Sequence, residues 1–418
     1  MLCPMGKETS GVRQQHIIPA LTGMRFFAAL SILVCHCITM SGFASSSPIY
    51  LFRESAAQIG MTLFFVLSGF VLFLNYGPQF ASRPWREITR SFFVARFARL
   101  YPLYAFCLFV MVLWKPWDIS IDALMFVPLL QSWTPTIGHG GFLPTKIALM
   151  HHSWSISTEM YFYVWFPVIA LALVWWLRQR NPFTLAAVVF MLTVAIGYLA
   201  FKVADANILA GDQRVIRLFW FAFYSPYVRV FEFLLGCIAA ACFVSLSQTA
   251  PSRAEARYGR LIQALALASV LAIVAVRTSE EVPIGWNIRN FVDFLANNYL
   301  YAGPFAVLLF CACRYSTAFS TFLSLRPIVL GGELSYSIYM LHWPLVLQFA
   351  PGRPPFDPNI GDYALFLCRC AAFMSLTIVA SYGTYRLIEV PGRRYIRTRF
   401  EQARRRSIEH GPPAANAV

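Results

Sequence analysis

Ten stretches of about twenty mostly apolar residues recur along the chain, near 17–41, 55–76, 97–114, 155–177, 183–201, 226–246, 261–276, 299–314, 330–349 and 364–389. About 20 such residues carry a helix across the hydrocarbon core of a bilayer. Inside lipid every backbone N–H and C=O must be paired within its own element, so runs of this length become helices. The fold class expected is therefore all-α, a polytopic integral membrane protein of about ten transmembrane helices. Hydrophobic residues make up 58% of the chain and charged residues only 13%, and no hydrophilic stretch is long enough for a second domain.

Charge sets the orientation. With a cytoplasmic amino terminus, 21 of the 34 lysines and arginines fall in inside segments, nine outside and four within spans. That bias puts both termini in the cytoplasm. The net charge of +15 is then mostly topology, and no nucleic-acid partner is expected, because no soluble face gathers the basic residues. The chain divides into a cytoplasmic segment 1–16, a membrane domain 17–391 and a basic cytoplasmic tail 392–418, expected to be disordered. The first span reads as retained rather than as a cleaved signal peptide, since its apolar core is long and an arginine interrupts it. The ten cysteines, including the pairs Cys35/Cys37, Cys311/Cys313 and Cys368/Cys370, lie almost all in apolar segments without CxxC spacing. They read as small buried hydrophobes. Adjacent His151 and His152 are not spaced as zinc ligands, and no metal is expected.

Within the first span, GMRFFAALSILVCHC carries Arg25 and His36, although a charge at the bilayer centre costs about 2.5 kcal/mol or more. At about 100° per residue the two project within about 20° of each other, about 16 Å apart along the axis. They line one wall, which suits an elongated polar ligand. The other reading pairs the arginine with a neighbouring helix and satisfies the histidine at the outer interface; this span alone does not separate the two.

Further polar residues bear on the choice. Ser155 and Glu159 in HHSWSISTEMYFYVWF share a helical face at i and i+4 near the outer end of the fourth span. His36 sits at comparable depth, and a Glu beside it would fix its tautomer and raise its basicity. The alternative partner for Glu159 is Arg229, for which Glu232 at i+3 competes. Arg96 and Arg99 open the third span on its first turn, where a helix amino terminus favours anions. They could hold phosphates, or anchor the cytoplasmic side with Arg83, Arg86 and Arg90. The longest outer segment, Lys115 to Ser153, contains Trp117, Trp133 and His139 and could stack a sugar ring, but aromatic side chains also belong at any membrane interface.

Seven motifs then follow in order: Arg25-x10-His36, FFVLSGF at Phe64 to Phe70, Arg96-x2-Arg99-x2-Pro102, WSISTE at Trp154 to Glu159, Arg229-x2-Glu232 before Gly236, LSYSIYMLHWPL from Leu334, and Tyr385-x3-Glu389-x-Pro391. In this order they resemble the membrane acyltransferase type 3 family, from Thr22 to about Pro391. The resemblance implies an O-acyltransferase that moves an acetyl or short acyl group from cytoplasmic acyl-CoA to a hydroxyl of an extracytoplasmic sugar, on a surface polysaccharide or other glycan. It implies His36 as catalytic base with Arg25 as companion, and Arg96 and Arg99 as the grip on the donor's phosphates. Glu159 is the third catalytic candidate. Trp154, Ser155, His152, Tyr339 and His342, in or beside these motifs, are the substrate-binding candidates. Acetyl-CoA or another acyl-CoA enters as a donor substrate, with no permanently bound cofactor. The other partners implied are the glycan acceptor, the lipid of the inner cell membrane and, for any second transfer step, separate glycan-assembly machinery. Whether His36 deprotonates the acceptor or first accepts the acyl group itself stays open. The rival class is a proton-coupled secondary transporter of a small polar solute, which would show two halves related by a repeat; none is visible.

Overall fold

Prolines open many of the helices, at Pro19, Pro48, Pro182 and Pro226, where a missing N–H costs nothing and the ring pre-sets the helical backbone. The structure, a computed structural model, describes residues 18–39, 48–114, 121–134, 148–177, 181–208, 220, 224–278, 299–349 and 360–409. Among them there is no strand. The helices are α1 (Pro19–Thr39), α2 (Pro48–Phe80), α3 (Trp85–Trp114), α4 (Trp154–Leu177), α5 (Pro182–Ile208), α6 (Pro226–Leu246), α7 (Arg253–Thr278), α8 (Ala302–Arg314), α9 (Ala318–Leu323), α10 (Arg326–Phe349), α11 (Ile360–Thr384) and α12 (Val390–Glu409). Short 3-10 turns cover Ile121–Phe126 and Ala148–Ser153, and a π-helical turn, Tyr385–Glu389, joins α11 to α12.

Seven described helices are long and apolar enough to cross a bilayer: α1, α2, α3, α4, α6, α7 and the continuous rod of α11 and α12. The chain is a multi-pass membrane protein of helices. Of the other three expected spans, α5 and α8 supply shorter apolar stretches, and α10 is interrupted by Glu333 and His342.

Helices in lipid gain little from the hydrophobic effect against one another, so small residues that let backbones touch do much of the packing. On α2 and α6, a Cβ at Gly69 would stand 2.0 Å from the Phe233 carbonyl oxygen, and one at Gly236 would stand 1.9 Å from that of Val66. The seam between α1 and α10 is as close: a Cβ at Gly332 would lie 1.8 Å from the Thr22 oxygen. A buried ion pair adds to the first seam. Arg229 Nη1 meets Glu232 Oε1 at 2.7 Å, Thr62 donates to the same oxygen at 3.0 Å, and Arg229 Nη2 donates to Gln58 at 3.2 Å. Glu232 therefore wins the competition for Arg229.

The tail differs from expectation. Val390 to Glu409 is helical rather than disordered. Gly392, Ile396 and Phe400 recur at helical spacing and are half-buried, so α12 has a side to lay against α3. Arg90 of α3 sits 5.3 Å over the Phe400 ring, and Arg404 pairs with Glu87.

Candidate active site

α1, α2, α3, α4 and α10 leave a cavity between them, about 760 Å³ of unfilled space with its open mouth included. Arg25, Arg96 and Arg99 face it, with Ser68, Glu159, Tyr163, Ser155 and Tyr339, and Phe64, Phe65 and Met61 make an apolar wall. Arg96 and Arg99 do not sit at a helix amino terminus as expected: α3 begins at Trp85, about three turns earlier. Their effect on an anion comes from the guanidiniums alone.

Those guanidiniums outnumber their partners. Arg99 Nη1 contacts Glu389 Oε1 at 2.9 Å, and Ser337 donates to the other Glu389 oxygen at 3.0 Å. The π turn is what delivers Glu389 to this place, fully buried. Arg96 stacks 5.8 Å over Tyr76 and 6.0 Å over Phe92, and its buried Nε has no hydrogen-bond partner among the described residues. Arg25 lies within electrostatic reach of Arg96, Arg99 and Glu159. Glu159 Oε1 accepts from Ser68 at 2.8 Å and from Tyr163 at 2.5 Å. Three arginines against Glu159 and the Glu389 that Arg99 already holds leave a positive cavity in a poorly screened interior. Such a cavity favours an anionic ligand.

Tyr339 links this cavity to a cluster of imidazoles. Its hydroxyl donates to the His152 carbonyl at 2.6 Å, which leaves Ser155 to donate to it across 2.5 Å. The Tyr339 ring lies 5.4 Å from His152 and 5.3 Å from His342. His342 in turn is 5.2 Å from His152 and 5.0 Å from His36, whose ring also meets Trp343 edge-on at 4.8 Å. His342 Nδ1 lies 2.5 Å from the Tyr339 carbonyl. A carbonyl only accepts, so His342 carries a proton on Nδ1, and when the ring is neutral its Nε2 is an acceptor. That Nε2 is buried and has no hydrogen-bond partner among the described residues. Pro344, two residues on within the continuous α10, has no N–H to donate to the Met340 carbonyl.

The candidates thus fall into two groups. Arg25, Arg96, Arg99 and Glu159 share the cavity. His342 meets both His36 and His152, beside Tyr339 and Ser155. Glu159 keeps company with Arg25 and two hydroxyls, while His36 packs against the His342 and Trp343 rings, among others. Trp154 turns from the cavity to pack edge-on against Phe65 and Tyr224. Trp133 donates to the Ser157 carbonyl at 3.1 Å and packs on Tyr161; Trp117 and His139 lie outside the described residues. Tyr163, Ser68 and Ser337 had not been singled out. Tyr163 at i+4 from Glu159 carried a readable signal.

The family is now decided by sequence comparison. Residues 18–386 match the acyltransferase domain of the acyltransferase type 3 family. The chain belongs to that family. It is 31% identical over 238 residues to the acyltransferase MdmB of Streptomyces mycarofaciens, covering 53% of this chain and 57% of that one. It is 24% identical over 405 residues to YrhL of Bacillus subtilis, provisionally named a peptidoglycan O-acetyltransferase, covering 94% and 57%. With the O-acetyltransferase OatA of Staphylococcus aureus it shares 21% over 393 residues, covering 90% and 57%. The chain thus spans 57% of the length of these curated relatives. No solved structure matches it.

Proposed function

We propose that this family member is an O-acyltransferase of the inner cell membrane, with ten spans and both termini cytoplasmic. It moves an acetyl or short acyl group from acyl-CoA to a hydroxyl of an extracytoplasmic sugar. The observation that carries the reading is the junction of an arginine-lined cavity with an imidazole cluster through Ser155 and Tyr339. An acyl-CoA has the matching chemistry, with phosphates at one end and a thioester at the other.

The donor's phosphates rest against Arg25, Arg96 and Arg99, and its thioester points toward His36. The acceptor hydroxyl arrives from outside. As its oxygen attacks the thioester carbonyl, His36 takes the hydroxyl proton; the C–S bond breaks and the proton passes to the departing thiolate. His342, with an acceptor nitrogen beside the His36 ring, steadies the imidazolium that forms. Glu159 is assigned to Arg25, whose charge it balances while two hydroxyls hold it in place. In the variant route His36 attacks first, and the acceptor resolves an acyl-imidazole.

The test is the donor's KM. Replacing Arg96 and Arg99 together with Gln removes charge-assisted contacts from one substrate only, so KM for acyl-CoA should rise far more than KM for the acceptor. The acceptor itself is found by deleting the gene and weighing envelope glycans for a missing acyl group. An unchanged donor KM would make these arginines simple anchors.

A further inference from the structure

α12 runs antiparallel to α3 in a register set by three contacts. A Cβ at Gly392 would come within 2.6 Å of Pro102; Arg90 lies over Phe400; Arg404 pairs with Glu87. Interpolating along the pair puts Arg397 across from Arg96, and Arg393 across from Arg99 and Leu100. Both lie half-buried on the side of α12 that meets α3, about 6 and 12 Å along the axis beyond Glu389. Arg397 is within electrostatic reach of Arg96, Tyr76 and Arg393, so the register and the charges agree.

Arg397 is close enough to repel both Arg96 and Arg393, and the register brings Arg99 alongside them. Glu389 is already taken by Arg99, and Glu401 lies within electrostatic reach of Arg397. Arg96, with its buried Nε lacking a partner among the described residues, is at the centre of the group. A bound polyanion resolves this repulsion with charge-assisted hydrogen bonds from both helices.

We propose that α12 is the second jaw of a polyphosphate clamp, in which Arg393 and Arg397 close over the same anion that Arg96 and Arg99 hold from α3. The inference rests on the donor reading above and deepens it: the occupant is the phosphorylated nucleotide end of coenzyme A. Anionic lipid headgroups offer the same chemistry, and the test must tell the two apart.

The full chain is placed in nanodiscs of neutral phosphatidylcholine, and binding of coenzyme A and of 3′-dephospho-coenzyme A is measured by calorimetry. R393Q/R397Q should weaken coenzyme A binding about tenfold or more and 3′-dephospho-coenzyme A binding much less. R393K/R397K should keep most of the affinity, because charge survives although the planar fork is lost. That pair also shows that α12 is folded. R394Q/R399Q, on the exposed side of the same helix, should change nothing. If R393Q/R397Q binds coenzyme A within twofold of the parent while R96Q/R99Q does not, the clamp is wrong and the donor reading stands. If R96Q/R99Q also binds like the parent, the donor reading has failed and takes the clamp with it. A loss that appears only in discs containing phosphatidylglycerol would assign the arginines to lipid and overturn the proposal.

Discussion

Gly332 offers a graded test of how the α1–α10 seam holds the two halves of the site in register. It lies one and two turns before Tyr336 and Tyr339 on the same face of α10, against the backbone of α1 just before Arg25. A Cβ there would stand 1.8 Å from the Thr22 oxygen and 2.6 Å from its carbon. Ordinary contact begins near 3.4 Å, so Gly332→Ala must open the seam by up to about 1.6 Å. Overpacking of this kind costs about 1–3 kcal/mol, and a misplacement of about 1 Å in a reacting constellation can cost about 10²-fold in rate. Its neighbour Gly331 is the control. A Cβ at Gly331 meets the Phe26 ring at 2.5 Å, a half-buried side chain that can swing away, so Gly331→Ala should lose a fraction as much. Gly383, with nothing within 4 Å of its would-be Cβ, should gain about 0.4–1 kcal/mol as alanine, because the unfolded chain becomes less free. Survival of the folded protein after heating in detergent, read by gel filtration, should therefore rank Gly383→Ala, parent, Gly331→Ala, Gly332→Ala from most to least stable. Acyl transfer should fall steeply only in the last. A Gly332→Ala protein that melts with the parent would refute the backbone contact and the reasoning built on it.

Three further expectations follow from the same packing. His36→Ala should insert and accumulate normally yet transfer about 10²-fold more slowly or worse; a rate within a few-fold of the parent, with donor and true acceptor supplied, would make the histidine a packing residue. Glu232→Leu, which removes the carboxylate paired with buried Arg229, should destabilise by about 3–5 kcal/mol, and Arg229→Met added to it should restore most of that; a double variant no better than the single would contradict the pairing. A cysteine beside Trp133, in a chain stripped of its ten native cysteines, should react with an impermeant thiol reagent in intact cells, whereas one in the 410–418 tail should not; the reverse pattern would invert the topology.

Along a single helix the sequence was a good guide, because the 100° step is fixed by backbone geometry. Arg25 and His36 could be placed on one wall of α1, and Ser155 and Glu159 on one face of α4, before any packing was known. Between helices it was a weaker guide. Glu159 was matched to His36 by counting depth along separate helices, but how far one helix is shifted along its axis against another is set by packing. Glu159 sits in the cavity within reach of Arg25, which stands about 16 Å along α1 from His36. Arg229 and Glu232, three residues apart, were correctly suspected of meeting because one helix carries both. His152 and His342 come together through a hydrogen bond spanning 187 residues, and no local pattern announces that. The tail failed for another reason. Its charge suggested a disordered cytoplasmic segment, and the sparse repeat of Gly392, Ile396 and Phe400 was lost among the arginines.

Arg25 shows why a misfit residue was more informative than a well-matched one. In lipid it would cost about 2.5 kcal/mol or more, and the chain offers it a cavity shared with Arg96, Arg99 and Glu159 instead of a lone buried counter-ion. A purely structural arginine would resemble Arg229, buried and bonded to Glu232 and Gln58. Arg25 is only half-buried and faces the cavity, and on the proposed reading its charge is there for the donor's phosphates. His36 stands on the same helix about 16 Å further along, and one rigid span therefore sets the distance between the anion seat and the imidazole. On the proposed reading, that distance is the reach the donor must have between its phosphates and its thioester, and a helix, unlike a loop, holds it fixed while the ligand changes.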